Sequence, residues 1–298
     1  MIVSGAVIVL LALLGAPLFI LISGGAMLGY LRNDIDLSAI AIEIFGIAEM
    51  PILLAIPLFT FAGYILSESK APDRLVRVTN ALLGWMPGGL AIVAIVACSF
   101  FTAFTGASGV TIIALGALLY PALQQSGYSD KFNLGLLTAG ASLGLLFAPS
   151  LPLILYGVVA QVSIDDLFIA GIVPGILMMA VVAAYCLWVN RHNRQPISDF
   201  SFREVFGALR EAMWEIPLPV IVLGGIYSGY LAVSEAAAVT SLYVLVVEVF
   251  IKREIAFTAL PGIVRESMVL VGGILLILGA SLASTNYMID AEVPQQLI

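Results

Sequence analysis

Residues 99–116 read SFFTAFTGASGVTIIALG, an apolar segment that is interrupted near its middle by TGASG at 105–109. The flanks of this segment have the composition of a membrane helix, whereas small hydroxyl residues and glycines weaken a helix. Irregular backbone at membrane depth persists only where protein or a water-filled cavity covers it. The interruption by itself fits either a kink in a membrane helix or part of a site.

The composition of the whole chain predicts an all-α polytopic membrane protein. Of the 298 residues, 61% are hydrophobic and 10% are charged, and the mean hydropathy is +1.12. Soluble domains carry about a quarter charged residues. Several uncharged stretches have about 17 to 25 residues, the length that crosses about 30 Å of hydrocarbon. The predicted spans are roughly 2–31 (a retained helix that contains Pro17), 50–67, 167–190, 216–233, 235–251 and 268–288.

Lysine and arginine are distributed unevenly between the loops. Arg32 falls on one side, together with acidic residues such as Asp165. The positive-inside rule makes the basic side cytoplasmic and predicts a cytoplasmic N-terminus. The residues on the basic side are Lys70, Arg74, Arg77, Lys131, Arg191, Arg194, Arg203, Arg210, Lys252, Arg253 and Arg265.

Residues that commonly carry enzyme chemistry form no pattern in this sequence. Cys98 and Cys186 each lie in an apolar run, and His192 stands alone in a basic loop. Neither a disulfide framework nor a zinc site follows from such isolated residues. We therefore predict no enzymatic activity, no bound cofactor and no nucleic-acid partner.

The segment 88–126 has two apolar arms, at about 88–104 and 110–123. The second arm is short for a full crossing, so a re-entrant hairpin is predicted rather than two crossings, although the charge distribution fits both. The preceding residues 71–89, APDRLVRVTNALLGWMPGG, place apolar and polar residues at helical spacing. That pattern predicts an amphipathic helix that lies in the membrane interface.

The segment 138–157, TAGASLGLLFAPSLPLILYG, predicts a helix that breaks near the middle of the membrane. Pro149 and Pro152 each remove a backbone donor and clash with the preceding turn. A single break is often only a kink in a membrane helix. Two interrupted segments in succession are, however, typical of secondary transporters that bind their substrates near the bilayer midplane.

Broken helices expose backbone carbonyls at one half-helix end, and these can replace the hydration shell of a cation. The other end exposes N–H groups that favour an anionic group. The two interrupted segments contain no Asp, Glu, Lys, Arg or His. Because a proton carrier needs a titratable group within the membrane, this composition favours Na⁺ over H⁺. Glu235 is predicted to lie in the first turn of a helix, and Glu248 to pair with Lys252 at a helix end.

Several motifs together resemble the large membrane subunit of tripartite ATP-independent periplasmic (TRAP) transporters. They are FFTAFTGASGVTIIALG, TAGASLGLLFAPSLPLILYGVVAQVSIDDLFIAGIVPG, LLAIPLFTFAGYIL and LPVIVLGGIYSGYLAVSEAAAV, and they extend over essentially the whole chain. The resemblance implies an elevator-type carrier of the bacterial inner membrane that is built from inverted repeats. It also implies Na⁺-coupled uptake of organic acids, such as C4-dicarboxylates or sialic acid. The implied partners are a small four-helix membrane subunit and a periplasmic substrate-binding protein.

The resemblance also implies where ligands bind. It assigns a Na⁺ site, formed mostly by backbone oxygens, and a substrate site beside it. The chain departs from the common Ser-Gly-Ser-Ser tip and from the common Pro-Pro pair, which is Ala148-Pro149 here; backbone ligands would tolerate both changes. The implied Na⁺ ligands are Thr105, Ser108, Gly144, Phe147 and Pro149, and the implied substrate contacts are Gly106, Ala107, Gly109 and Ser150.

The resemblance divides the chain into parts and implies that the second repeat is incomplete. The last residues, AEVPQQLI at 291–298, have a Pro-x-x-Leu pattern similar to APDRL at 71–75, where the first hairpin is introduced. A carrier that works without a binding protein, or a fragment that acts only in assembly, are the alternatives. The predicted parts are 1–70, N-terminal scaffold helices; 71–87, interfacial arm helix; 88–162, hairpin and broken helix; 163–254, scaffold and linking helices; and 255–298, the start of the second repeat.

Overall fold

The computed structural model describes residues 2–86, 88–191 and 200–292, and every regular element in these ranges is helical. A chain in hydrocarbon must satisfy its backbone polar groups internally, which helices do. The 3₁₀ turns are Pro51–Leu54 and Gly144–Leu146, and a π-helical turn, Val246–Ile251, extends α13. The α-helices are α1 (Ile2–Leu13), α2 (Leu18–Arg32), α3 (Ser38–Ala48), α4 (Ala55–Glu68), α5 (Ala71–Leu83), α6 (Gly89–Thr105), α7 (Ser108–Gln125), α8 (Asp130–Leu143), α9 (Leu151–Ala160), α10 (Ile164–Val189), α11 (Phe202–Glu211), α12 (Pro217–Tyr227), α13 (Val233–Leu245) and α14 (Leu260–Asp290).

Among the described residues, five helical segments are long and apolar enough to cross a membrane, and a bent pair makes a sixth. These segments include the predicted spans 50–67, 167–190, 235–251 and 268–288, which are confirmed as helices. The predicted all-helical polytopic fold is therefore confirmed. The five segments are Pro51–Glu68, Ser108–Gln125, Ile164–Val189, Val233–Ile251 and Leu260–Asp290, and the bent pair is Asp130–Leu146 with Leu151–Ala160.

Two of the predicted spans were wrong in extent. The predicted helix 2–31 is divided into α1 and α2, because Gly15 adopts a left-handed φ of +81° and Pro17 cannot continue the first helix. The predicted span 216–233 corresponds mainly to α12, which has only 11 residues. That helix is about 17 Å long, and it ends before Gly229, where φ is +74°.

The chain forms two compact units. The smaller consists of residues 1–53 and 268–298, and the larger of residues 54–267. In the smaller unit the Tyr30 hydroxyl donates a 3.1 Å hydrogen bond to the Ala283 carbonyl, and the Tyr30 and Tyr287 rings meet edge to face. The larger unit has its core where α6 packs on α8, α7 and α5, with buried Ile95, Phe101 and others between them.

Large apolar side chains are exposed on the outer helices of the larger unit. Val173, Leu177 and Trp188 of α10 are all mostly exposed, although the helix carries no charge after Asp166. Exposed apolar surface of this kind is rare on soluble proteins. It fits contact with lipid, as expected for a membrane-spanning helix.

The predicted amphipathic helix is found as α5, which ends at Leu83 rather than at residue 89. Pro72 lies in its first turn, where backbone N–H groups have no partner within the helix, so the N–H that proline lacks is not needed. The helix packs on α6 and on α11, and Arg77 forms ion pairs with Glu204 and Glu211 of α11. Whether α5 lies in the membrane interface stays a prediction.

Candidate functional site

The quoted stretch folds as a tight helical hairpin. Helix α6 ends at Thr105 and α7 begins at Ser108, so only Gly106 and Ala107 form the turn. The Gly106 N–H donates a 2.8 Å hydrogen bond to the Thr102 carbonyl and closes α6. The second arm is the 18-residue helix α7, about 27 Å long. This arm is therefore long enough to cross, contrary to the prediction from its uncharged length, and re-entry stays a prediction.

Gly106 is required at the hairpin tip for two reasons. Its φ is +65°, a left-handed conformation that is unfavourable for residues with a Cβ atom. A Cβ atom at this position would also lie 2.5 Å from Cγ of Leu151, the first residue of α9. The hairpin tip therefore touches the start of the second half of the broken helix.

Three threonine hydroxyls form a buried cluster behind the tip. Thr102 Oγ1 donates to Thr111 Oγ1 over 2.7 Å, and Thr105 Oγ1 lies 3.2 Å from Thr111 Oγ1. All three side chains are fully buried. Of these three residues, only Thr105 was predicted from the sequence. Thr102 is one turn earlier on the same helix face, a spacing that brings side chains together.

The predicted break in the second segment is confirmed at residues 147–150. Helix α8 ends at Leu143, a 3₁₀ turn follows, and α9 begins at Leu151 with its axis bent by 44°. Pro149 lies within the break. Pro152 is instead the second residue of α9, where proline suits a helix start, so its predicted role as a breaker was wrong.

Hydrogen bonds within the break occupy some of its polar groups. The Phe147 N–H donates to the Gly144 carbonyl over 3.1 Å. The hydroxyl of Ser150, which is fully buried, donates to the Leu145 carbonyl over 2.5 Å and so joins the two sides of the break. The Ser150 hydroxyl is therefore used in a hydrogen bond within the break itself.

Gly140 of α8 and Gly144, which directly follows α8, bring the broken helix into close contact with α6. A Cβ atom at Gly144 would lie 2.5 Å from Thr102 Cβ, and closer still to the Ser99 carbonyl oxygen. One turn earlier, the Ser99 hydroxyl donates to the Gly140 carbonyl over 3.0 Å. Small residues at a membrane helix interface permit this approach. Hairpin and break thus meet at two points, Gly144 with α6 and Gly106 with α9.

The other predicted site residues differ in burial and in what they contact. The Phe147 ring packs against α10, because a Cβ atom at Gly175 would lie 2.7 Å from its Cζ atom. Ala107 and Ser108 are half-buried at the start of α7, and Gly109 is exposed. Pro149 is buried. Phe147 and Ser150 could therefore serve a ligand through backbone atoms rather than through their side chains.

Helix α4 contributes a contact that the sequence analysis did not include. A Cβ atom at Gly63 would lie 3.1 Å from both Thr105 Cβ and the Thr105 carbonyl oxygen, and nearer to Thr105 Cα. Thr60, one turn before Gly63, is fully buried, and its hydroxyl has no hydrogen-bond partner in the described part of the chain. Thr60 and Gly63 are three residues apart and so lie on one face of α4, and this spacing was the feature of the sequence that could have indicated the contact.

The place where hairpin and break meet is uncharged. It offers hydroxyl oxygens, the carbonyl end of α8 and the N-terminal ends of α7 and α9. Helix N-termini carry partial positive charge, and C-terminal carbonyls carry partial negative charge. Such an arrangement can coordinate a small cation through neutral oxygens and attract an anionic group through N–H donors.

The prediction for Glu235 is confirmed, whereas the prediction for Glu248 was wrong. Glu235 accepts a 2.9 Å hydrogen bond from the Ala232 N–H at the start of α13, so its predicted first-turn role is confirmed. The predicted pair between Glu248 and Lys252 was wrong. Glu248 contacts Arg74 at 3.3 Å, and Lys252 pairs with Glu215 at 2.5 Å.

A family model described as "Tripartite ATP-independent periplasmic transporter, DctM component" matches residues 2–298. The chain belongs to this family. The resemblance to TRAP large subunits is thereby confirmed. A permease component is not an enzyme, as predicted, and the family places this multi-pass protein in the bacterial inner membrane.

Curated relatives carry TRAP permease names. The chain is 34% identical over 294 residues to the ectoine/5-hydroxyectoine TRAP transporter large permease protein of Ruegeria pomeroyi, covering 97% of the chain and 69% of the relative. It is 33% identical to the C4-dicarboxylate TRAP large permease of Pseudomonas aeruginosa, covering 92% and 64%. With the isethionate TRAP permease of Oleidesulfovibrio alaskensis it shares 34% identity, covering 81% and 38%. The chain thus spans about two thirds or less of these relatives.

Proposed function

We propose that this chain is the large membrane subunit of a Na⁺-coupled uptake system for a small organic anion. The observation that carries the proposal is the contact of the hairpin with both halves of the broken helix. Gly144 packs against α6, and Leu151 packs against Gly106 at the hairpin tip. This contact unites neutral oxygens and two helix N-termini in an uncharged place. Alternating access through an elevator movement of inverted repeats belongs to the same proposal.

The Na⁺ ion would be held by the hairpin tip and the first side of the break. Carbonyl and hydroxyl oxygens of these segments would replace the hydration shell of the ion, as in other broken-helix carriers. Gly144 supports this role because its missing side chain lets the end of α8 approach α6. The proposed ligands are Thr105, Ser108, Gly144, Phe147 and Pro149, with Phe147 and Pro149 acting through backbone oxygens.

The substrate would bind beside the ion, at the N-terminal ends of α7 and α9. An anionic group suits these ends because their free N–H groups and helix dipoles carry positive charge. Relatives are named for C4-dicarboxylates and isethionate, which are organic anions, and for ectoine. The proposed contacts are Gly106, Ala107, Gly109 and the backbone of Ser150.

The proposed partners follow from the tripartite family. One is a small four-helix membrane subunit, and the other is a periplasmic substrate-binding protein that delivers the organic acid. The binding protein would contribute much of the substrate selectivity. Lipids of the inner membrane would surround the exposed apolar helices.

Uptake in proteoliposomes tests the coupling ion. The protein is reconstituted with both partners, and uptake is measured with and without an inward Na⁺ gradient. Loss of one ligand is worth about 1–3 kcal/mol, so Thr105→Val should raise the half-activating Na⁺ concentration about fivefold or more. Thr138→Val is the matched control, because its exposed hydroxyl bonds to carbonyls of its own helix.

Two outcomes would contradict the proposal. Uptake that is equal in the presence and absence of the Na⁺ gradient would remove Na⁺ as the coupling ion. Thr105→Val and Ser108→Leu proteins whose Na⁺ activation equals that of Thr138→Val would remove the hairpin tip as the ion site.

A further inference from the structure

A buried cluster of charged side chains lies at the start of α5, away from the hairpin and the break. Arg74 lies at its centre and is only 6% exposed. The cluster joins α5 to the residues before α12, to the π-helical end of α13 and to the loop that follows it. Its charged members in the described part of the chain are Arg74, Lys252, Glu215, Glu248 and Glu254.

The charges in this cluster do not balance when every carboxylate is ionised. Three carboxylates face two cations, which leaves one surplus negative charge in a buried place. One carboxylate oxygen, Glu215 Oε2, is buried and has no hydrogen-bond partner among the described residues. Burying an uncompensated charge is unfavourable, so one of the three carboxyl groups of the cluster is expected to take up a proton.

The short contacts identify two carboxylates that remain ionised. Arg74 donates to Glu215 through Nε over 2.7 Å and to Glu254 through Nη1 over 2.6 Å, and Lys252 donates to Glu215 over 2.5 Å. Burial disfavours the charged form of Glu254, but bonds from Arg74 and from the Lys70 N–H outweigh it and lower the Glu254 pKa. Burial likewise opposes the charge on Arg74, but its carboxylate partners raise the Arg74 pKa.

Glu248 is the carboxylate with the weakest compensation. Its contacts with Arg74 Nη2 are long, at 3.3 and 3.5 Å, and it is the most buried of the three at 1% exposed. It lies in the π-helical turn 246–251, a feature that is frequent at functional sites. The N–H of Glu254 donates to the Glu248 carbonyl over 2.9 Å and folds the following loop against it.

We propose that this cluster is a proton-binding site and that Glu248 carries the proton at neutral pH. The proton removes the surplus charge and lets Arg74 hold α5 against α13. Its release at alkaline pH leaves a buried negative charge and weakens that attachment. Because α5 leads directly into the hairpin, the proton controls how firmly the hairpin is anchored, independently of the proposed Na⁺ site. The ionisable groups that face Glu248 are Arg74, Glu215, Tyr243, Lys252 and Glu254.

Infrared spectroscopy on the purified chain in lipid nanodiscs tests the proposal without a transport assay. A protonated carboxyl group gives a C=O stretching band that an ionised carboxylate lacks. We expect this band at neutral pH, with loss of the band on alkalinisation and no band in Glu248→Gln. Glu204→Gln is the matched control and should keep the band, because Glu204 is an exposed partner of Arg77.

A second variant covers the possibility that Glu248→Gln does not fold. Glu215→Gln removes the surplus charge elsewhere in the cluster, so Glu248 should ionise and the band should disappear. Absence of the band in the original protein at neutral pH would overturn the proposal. Its persistence in folded Glu248→Gln or Glu215→Gln, or its loss when Na⁺ replaces K⁺ at neutral pH, would overturn it as well.

Discussion

Replacing Gly106 by alanine tests whether the hairpin tip is seated on the broken helix. An L-residue in the left-handed conformation costs about 1–2 kcal/mol. The added Cβ atom would lie 2.5 Å from Leu151 Cγ, and Leu151 is only 2% exposed, so it has little room to move. Overpacking of this kind costs about 1–3 kcal/mol, which gives a total of about 2–5 kcal/mol.

Thermal unfolding of the purified chain in detergent measures this loss. For a unit of roughly 200 residues, each kcal/mol shifts Tm by about 2–4 °C. We therefore expect Gly106→Ala to lower Tm by roughly 4–20 °C. Gly109→Ala is the matched control three residues later, because nothing lies within 4 Å of its Cβ position. It lies in α7, so its Tm should be unchanged or slightly raised.

A double variant separates the steric effect from the backbone effect. Leu151→Ala removes the side chain that the new Cβ atom would meet, so Gly106→Ala should be less harmful in a Leu151→Ala background. The expected coupling is about 0.5–3 kcal/mol. Equal Tm changes for Gly106→Ala and Gly109→Ala, or additive effects of Gly106→Ala and Leu151→Ala, would refute the contact between hairpin tip and α9.

The remaining predictions concern the hydroxyl cluster, a pH effect and the topology. Thr102→Val should destabilise the chain by about 1–3 kcal/mol in chemical unfolding, since it leaves the Thr111 hydroxyl without its short bond; equal stability would contradict this. The Glu254 pKa is lowered on folding, so ionised Glu254 stabilises the fold above its unfolded-state pKa, and this stabilisation is lost as the pH falls through its folded-state pKa. The Tm of Glu254→Gln should therefore fall less on acidification than that of the original protein. An equal dependence of Tm on pH in both proteins would contradict this role. Single cysteines at Asp165 and Lys252 should react from outside and inside respectively, and labelling of Asp165 from inside would overturn the predicted topology. Arg194, also predicted inside, lies outside the described residues, as do His192 and most of 291–298.

Much of the fold was predictable because hydrocarbon imposes strong rules on composition and backbone. The spans at 50–67 and 167–190 were found close to their predicted bounds, because uncharged length alone defines them. Errors occurred where a local conformation overrides composition. The division between α1 and α2 depends on the left-handed φ of Gly15, which hydropathy does not encode.

The sequence by itself determined the family, the hairpin and the break, because glycine, proline and hydroxyl residues in apolar segments have few compatible backbone arrangements. Only the tertiary structure decided which residues meet. Thr102 and Thr111 share a hydrogen bond because the two arms of the hairpin run antiparallel and pack on each other, and Gly144 packs closely against α6. The tertiary structure likewise decided that Glu248 contacts Arg74, which is 174 residues away, instead of Lys252. Sequence spacing constrains neighbours on one helix, whereas charge pairing across helices depends on packing that no local pattern specifies.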